Sequence, residues 1–201
     1  MGMAVAAPST LSIEQGYQQP NGTEIVVSGI VTVPSGRFAS AIADQGFALQ
    51  DQSGGIYVST EKNLALPIGA AVTVQGTLQD DGHGQQVLRL LAWTQQEKSF
   101  QAVVPQAASV DEAIHAHGQL VTVQGTIAQP LQLDAPYGDR LWMQDDTGTV
   151  QIYIPRSTQI FPEELPFLTM GQAIQITGLS SQYDGHDEVV PRRIEDIQPA
   201  R

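Results

Sequence analysis

Short runs in which apolar and polar residues alternate recur along the whole chain, and one of them is repeated outright. The word VTVQGT stands at residues 72–77 and again at 121–126, with looser copies, VVSGIV and IQITGL, at 26–31 and 174–179. Alternation with period two predicts a strand with one buried and one wet face. The glycine inside each copy would weaken a flat strand, but it suits one that must bulge or turn a corner, as in a small closed barrel. The pattern therefore predicts four bent strands.

Aligning the chain with itself orders these strands. SIEQGY from Ser12 matches SVDEAI from Ser109, FALQDQSGGIYV from Phe47 matches LWMQDDTGTVQI from Leu141, and DDGHGQQVLR from Asp80 matches YDGHDEVVPR from Tyr183. The shift drifts by only a few residues along the chain, as loop insertions would cause, so the sequence is a tandem duplication of a unit of roughly 85 residues. One unit covers 11–93, a polar connector 94–106, and a second unit 107–197.

Each unit opens with a short helix: Ser109 followed by Glu112 is a capping box, and Gly118 is a suitable stop. A bent strand, a strand pair turning at DQSGG or DDTGT, an irregular segment, a second bent strand and a hairpin at DGHG or DGHD follow. In the second unit the irregular segment, PEELPFL, suits one helical turn after Pro162. Five short strands with a connector between the third and fourth predict an all-β protein of two tandem five-stranded oligonucleotide/oligosaccharide-binding (OB) barrels, each preceded by a short helix. The repeated words are then the first and fourth strands of each barrel, side by side around one core.

The run VxGxV…FxLQDxSGGIYV…GxxVxVxGxL, read between Val27 and Val87, together with the preceding helix, resembles the OB modules attached to bacterial secreted nucleases and found alone in envelope proteins. The resemblance covers both units. It implies a non-catalytic module that binds nucleic acid, and it carries over no catalytic residue.

Composition narrows the function. At 201 residues, 41% hydrophobic and 15% charged, the chain reads as globular, and no apolar run is long enough for a transmembrane helix, so membrane insertion is not expected. The absence of cysteine excludes thiolate nucleophiles and cysteine-ligated metals. A net charge of −12 opposes non-specific attraction to phosphate backbones. The AVAAP stretch near the amino end matches the small-residue pattern of a secretory cleavage site, so an exported (periplasmic or secreted) protein and a cytoplasmic one with a short tail both remain open.

The catalytic inventory is thin. No P-loop, nucleophile elbow or H-E-x-x-H word is present, and His115 and His117, two apart on the helix, make a poor ligand pair. Asp80, Asp81 and His83, and Asp184, His186 and Asp187, cluster at equivalent turns, which is ordinary Asp-Gly hairpin chemistry before it is a metal site. The sequence thus predicts no enzymatic activity and calls for no cofactor or metal.

Strand parity sorts the aromatics. Phe47, Leu49, Ile56 and Val58 point into the first barrel, leaving Ala48, Gln50, Tyr57 and Ser59 outside. Leu141, Met143, Val150, Ile152 and Ile154 point into the second, leaving Trp142, Gln144, Gln151 and Tyr153 outside. That outer face, with the adjoining loops, is the usual ligand surface of an OB barrel. Stacking rings beside cations suit single-stranded nucleic acid, so the candidate binding residues are Trp142, Tyr153, Arg140, Arg156, Tyr137 and Tyr183 in the second unit, and Tyr57, Arg37 and Phe38 in the first. Residues up to 94 carry −4 and the remainder −8. The unit with the better aromatic platform is the more acidic, which favours instead aromatic packing, or an exported adaptor binding a protein or glycan through the same face.

Overall fold

The computed structural model describes residues 9–38, 41 and 43–200, so the AVAAP stretch lies outside the described residues. The chain is all-β, with two tandem β domains. The first unit contains β1 (Thr10–Leu11), α1 (Ile13–Tyr17), β2 (Glu24–Val33), β3 (Phe47–Gln50), β4 (Gly55–Ser59), β5 (Ala70–Asp80) and β6 (Gln86–Phe100). The second contains β7 (Gln106–Ala107), α2 (Val110–Ile114), β8 (Leu120–Asp134), β9 (Gly138–Gln144), β10 (Thr149–Pro155), β11 (Ala173–Tyr183), β12 (His186–Pro191) and β13 (Ile197–Pro199). Single 3₁₀ turns sit at Arg156–Thr158, Pro162–Glu164 and Ile194–Asp196. No helix among the described residues is long and apolar enough to cross a membrane.

In each unit five strands close on themselves. The order β2-β3-β4-β6-β5 is completed by pairing of β2 with β5, and β8-β9-β10-β12-β11 by pairing of β8 with β11. The repeated words are the strands that close each ring: Gly29 stands opposite Val72 and Ile25 opposite Gly76, while Gly125 stands opposite Ile174 and Val121 opposite Gly178. Both seams carry the same hydroxyl pair, Ser28 Oγ with Thr73 Oγ1 at 2.7 Å and Thr122 Oγ1 with Thr177 Oγ1 at 2.8 Å. The glycines answer a steric need. A Cβ at Gly29 would lie 2.5 Å from Gln50 O, and one at Gly125 2.4 Å from Gln144 O, so the bent strand runs too close to the next for any side chain.

The helices repeat too. Ser12 and Ser109 each cap their helix within a full capping box. The Ile13 N–H donates to Asp51 Oδ2 at 2.9 Å and the Val110 N–H to Asp145 Oδ2 at 2.8 Å, tying each helix start to the turn between the second and third barrel strands. For Asp145, desolvation raises the carboxyl pKa, but hydrogen bonds from Thr147 Oγ1 and from the N–H groups of Val110, Thr147 and Gly148 outweigh it and hold the group below the usual range.

Inward parity is met. Phe47, Leu49, Ile56 and Val58 are buried in one core, and Leu141, Met143, Val150, Ile152 and Ile154 in the other. The stretch read as connector is largely strand, because β6 runs on to Phe100 and its backbone pairs with β5, Gln95 opposite Val72 and Phe100 opposite Ala70.

A third apolar cluster joins the units. Val33, Phe38, Ala48, Tyr57 and Val87 of the first pack with Leu179 and Val190 of the second, and Tyr153 lies partly buried against them. Polar contacts ring this joint: Leu120 N–H donates to Gln50 Oε1 at 3.0 Å, Ser181 Oγ to Gln85 Oε1 at 2.7 Å, and Arg192 Nη1 to Thr32 O at 2.9 Å. At its tightest point Gly55 and Gly118 meet backbone to backbone.

Candidate functional site

Register builds the outer face of the second unit in rows. Gln151 on β10 stands opposite Trp142 on β9 and beside Glu188 on β12, Trp142 stands opposite Gln129 on β8, and Glu188 opposite Ser181 on β11. The neighbouring row sets Tyr153 opposite Arg140, and Arg140 opposite Gln132. The first unit covers the β11–β12 end of these rows through Leu179 and Val190. The β8–β10 end stays open, and Trp142 is partly exposed there.

The cations on this face are already engaged. Arg140 Nη2 lies 2.8 Å from Asp134 Oδ2, which also accepts from Tyr153 Oη at 3.2 Å, and Arg156 Nη1 lies 3.3 Å from Asp139 Oδ2. The bond to Asp134 holds the Arg140 guanidinium pKa above its ordinary value. Burial raises the Tyr153 phenol, with the Asp134 charge adding to it, and burial raises the Asp139 carboxyl against the pull of Arg156.

Glu188, absent from the sequence-based candidates, is the most perturbed carboxyl on the face. Burial pushes it up to about 7, with the hydrogen bond from Gln151 Nε2 at 3.0 Å and the Arg140 charge opposing. The folded protein therefore keeps a proton that the unfolded chain releases near pH 4.5, so stability falls as pH rises from there to about 7. Glu188→Gln removes this loss. The variant is expected to match the parent near pH 4.5 and to exceed it at pH 8 by about 3 kcal/mol in urea unfolding. An equal gain at both pH values would show that the carboxyl does not titrate in this window.

Among the sequence-based candidates, Trp142 and Arg140 lie on the open face, and Tyr153 stands opposite Arg140 with its ring partly buried against the joint cluster. Arg156 follows at the end of β10, and Tyr137, 70% exposed at the β8–β9 turn, accepts the Arg156 N–H through its carbonyl at 2.9 Å. Tyr183 is held elsewhere, its ring stacked on His83 of the first unit with centroids 4.7 Å apart.

The first-unit site needs correction. Tyr57 is fully buried, its hydroxyl donating to Asp44 Oδ1 at 2.5 Å, and Phe38 packs edge-on against it with centroids 4.8 Å apart. The face expected to receive a ligand receives the second unit instead, so Tyr57 and Phe38 are joint residues. Arg37 crosses the joint, donating to Thr158 O at 3.0 Å.

The Asp-Gly-His turns also meet at the joint. Asp80 and Asp81 accept N–H groups of their own turn, and His83 Nδ1 lies 2.8 Å from Asp184 Oδ1. His117 Nε2 lies 2.9 Å from Asp187 Oδ1, and His115 Nδ1 donates to Asp111 O at 2.7 Å at the helix end. Among the described residues no three His, Asp or Glu side chains converge in a metal-ligating group.

No protein-family model matches the chain. A 128-residue stretch, 63% of the chain, is 28% identical to Endonuclease YhcR of Bacillus subtilis (strain 168), and the match takes up 10% of that protein. The chain is thus similar to a small part of a much longer endonuclease. This corrects the expectation that the chain has no enzymatic activity: that expectation rested on missing local motifs, and the relative is an enzyme.

Proposed function

We propose that the chain is a nucleic-acid-binding module of two OB barrels that takes single-stranded nucleic acid on the open β8–β10 face of the second barrel. The observation that carries this reading is Trp142, partly exposed in a row with Gln129 and Gln151 beside a Tyr153–Arg140 row, on a chain similar to part of an endonuclease. Indole and phenol rings offer stacking surfaces that tolerate any base. Asp134 and Asp139 oppose the field a phosphate chain would need. That opposition favours the second reading, an adaptor that binds a protein or glycan through the same face.

Fluorescence titration with short single-stranded DNA and RNA at low and moderate salt tests the choice, with the same samples run on gels to read strand cleavage. Trp142→Ala is expected to weaken oligonucleotide binding by about 1–3 kcal/mol. It should cost less stability than Met143→Ala, whose side chain fills the core and whose truncation should cost about 2–5 kcal/mol. If the parent protein binds no oligonucleotide even at low salt, the nucleic-acid reading fails and the adaptor stands.

A further inference from the structure

The end of β10 leads away from the Trp142 row to a cleft between the two units. From Gln151 to Pro155 the strand advances roughly 13 Å, and the turn Arg156–Thr158 then touches the first unit, where Ser157 Oγ donates to Arg37 O at 2.9 Å. The cleft beyond has a volume of about 320 Å³ and is lined on one side by Pro34, Arg37 and Ile68, and on the other by Gln159, Glu164 and Arg193. Three of the nine basic residues in the chain line it, counting Arg192, together with two carboxylates, Glu164 and Glu195.

These three arginines differ in what they have left to offer. Arg192 is fully used: Nε and Nη2 clasp Asp196 at 2.8 Å each, and Nη1 donates to Thr32 O. Arg193 is exposed and only loosely paired, 3.9 Å from Glu195 and 3.6 Å from Asp196. Arg37 is held in place by neutral acceptors alone, Thr158 O at 3.0 Å and Gln159 Oε1 at 3.4 Å, and meets no carboxylate among the described residues. Arg140 and Arg156, by contrast, are each neutralised on the outer face. A half-buried guanidinium, fixed by two acceptors from the opposite unit and held in no ion pair among the described residues, is suited to an oxyanion.

We propose that this cleft is a phosphate site, in which Arg37, with Arg193 beside it, receives a phosphodiester of a strand whose bases stack on Trp142. The proposal rests on the nucleic-acid reading given above. It makes the site composite: the second unit supplies the stacking surface, and the first unit supplies the backbone contact through the one candidate residue of its own that still faces solvent. Glu164, exposed at the cleft edge, opposes the ligand.

The test uses the full chain with oligothymidylates of increasing length, and separately with inorganic pyrophosphate. Arg37→Gln should leave the shortest oligomers, which occupy only the Trp142 row, unaffected. It should weaken longer ones about tenfold, and their log K against log salt slope should shrink by about 0.7, the value for one lost phosphate contact on a single strand. Glu164→Gln, an exposed change that spares the fold, should tighten the longer oligomers alone. If neither variant alters long-oligomer affinity or salt slope while Trp142→Ala weakens every length, the cleft proposal is overturned and the nucleic-acid reading survives. If no oligomer binds the parent protein, the reading itself falls. Pyrophosphate then decides the cleft: a perturbed Arg37 guanidinium resonance, lost in Arg37→Gln, marks a site for free phosphates, and an unperturbed one removes the site.

Discussion

Arg192→Met is expected to lower the unfolding free energy by about 3–5 kcal/mol, the cost of leaving one partner of a buried ion pair uncompensated. The side chains of Arg192 and Asp196 are each only 5% exposed, and the guanidinium grips both carboxylate oxygens while the Arg192 N–H donates to Asp196 Oδ2 at 3.1 Å. Methionine fills much of the volume but removes both hydrogen bonds from the guanidinium to Asp196, leaving its charge only the loose 3.6 Å pairing with the exposed Arg193, and strands the Thr32 carbonyl of the first unit. Urea unfolding of the single variant and of Arg192→Met/Asp196→Leu separates the two effects. The double variant should recover much of the loss, because a neutral pair carries no desolvation penalty. A single-variant cost under about 1 kcal/mol, the range of an exposed pair, would show that water reaches this pair in solution.

The second large effect is expected at the joint. A Cβ at Gly55 would lie 2.0 Å from Gly118 O, and one at Gly118, whose φ is +81°, would lie 2.2 Å from Gly55 O. Both obstacles are backbone, so no rotamer change relieves them. Gly55→Ala should therefore push the units apart at a cost at or above the top of the usual overpacking range, about 3 kcal/mol. It should expose the cluster around Tyr57, Leu179 and Val190 and split unfolding into two transitions, with faster hydrogen exchange at that cluster. Gly54→Ala is the control, since its nearest contact is Ile13 Cγ2 at 3.7 Å. One transition of unchanged midpoint for Gly55→Ala would mean that the joint is not held closed by this contact.

Both predictions concern roles that the sequence does not reveal, and the physical reason is the same. The ring-closing strands, the inward parity of Leu141 and Met143 and the cap of the second helix were legible because each is written in nearby residues: period-two alternation, a serine three places before Glu112, a glycine on a strand that must bend. The duplication added the pairing of the repeated words, since equivalent strands of equivalent units must close equivalent rings. The extent of β6 was misjudged because polar residues such as Gln95 and Gln96 suit a connector as well as a strand on an exposed edge.

The site shows the other side. Parity gave the first unit an outer face with Ala48 and Tyr57 and the second an equivalent one with Trp142 and Gln151, and local pattern treats the two alike. Only the packing of one unit on the other broke the equivalence. The first face closed against Leu179 and Val190, and the second kept its β8–β10 half open. Strand pairing within the second unit set Glu188 beside Gln151 and Asp134 and Asp139 against the two arginines, and the packing of the units brought Arg37 to a cleft that neither unit forms alone. The sequence by itself determined the strands, their facing and their duplication, because those follow from short-range sterics and alternation. Which face is buried, which charges are neutralised and where a ligand has room were decided by tertiary structure, because burial and charge pairing depend on residues distant in sequence, and no local pattern encodes how two surfaces fit.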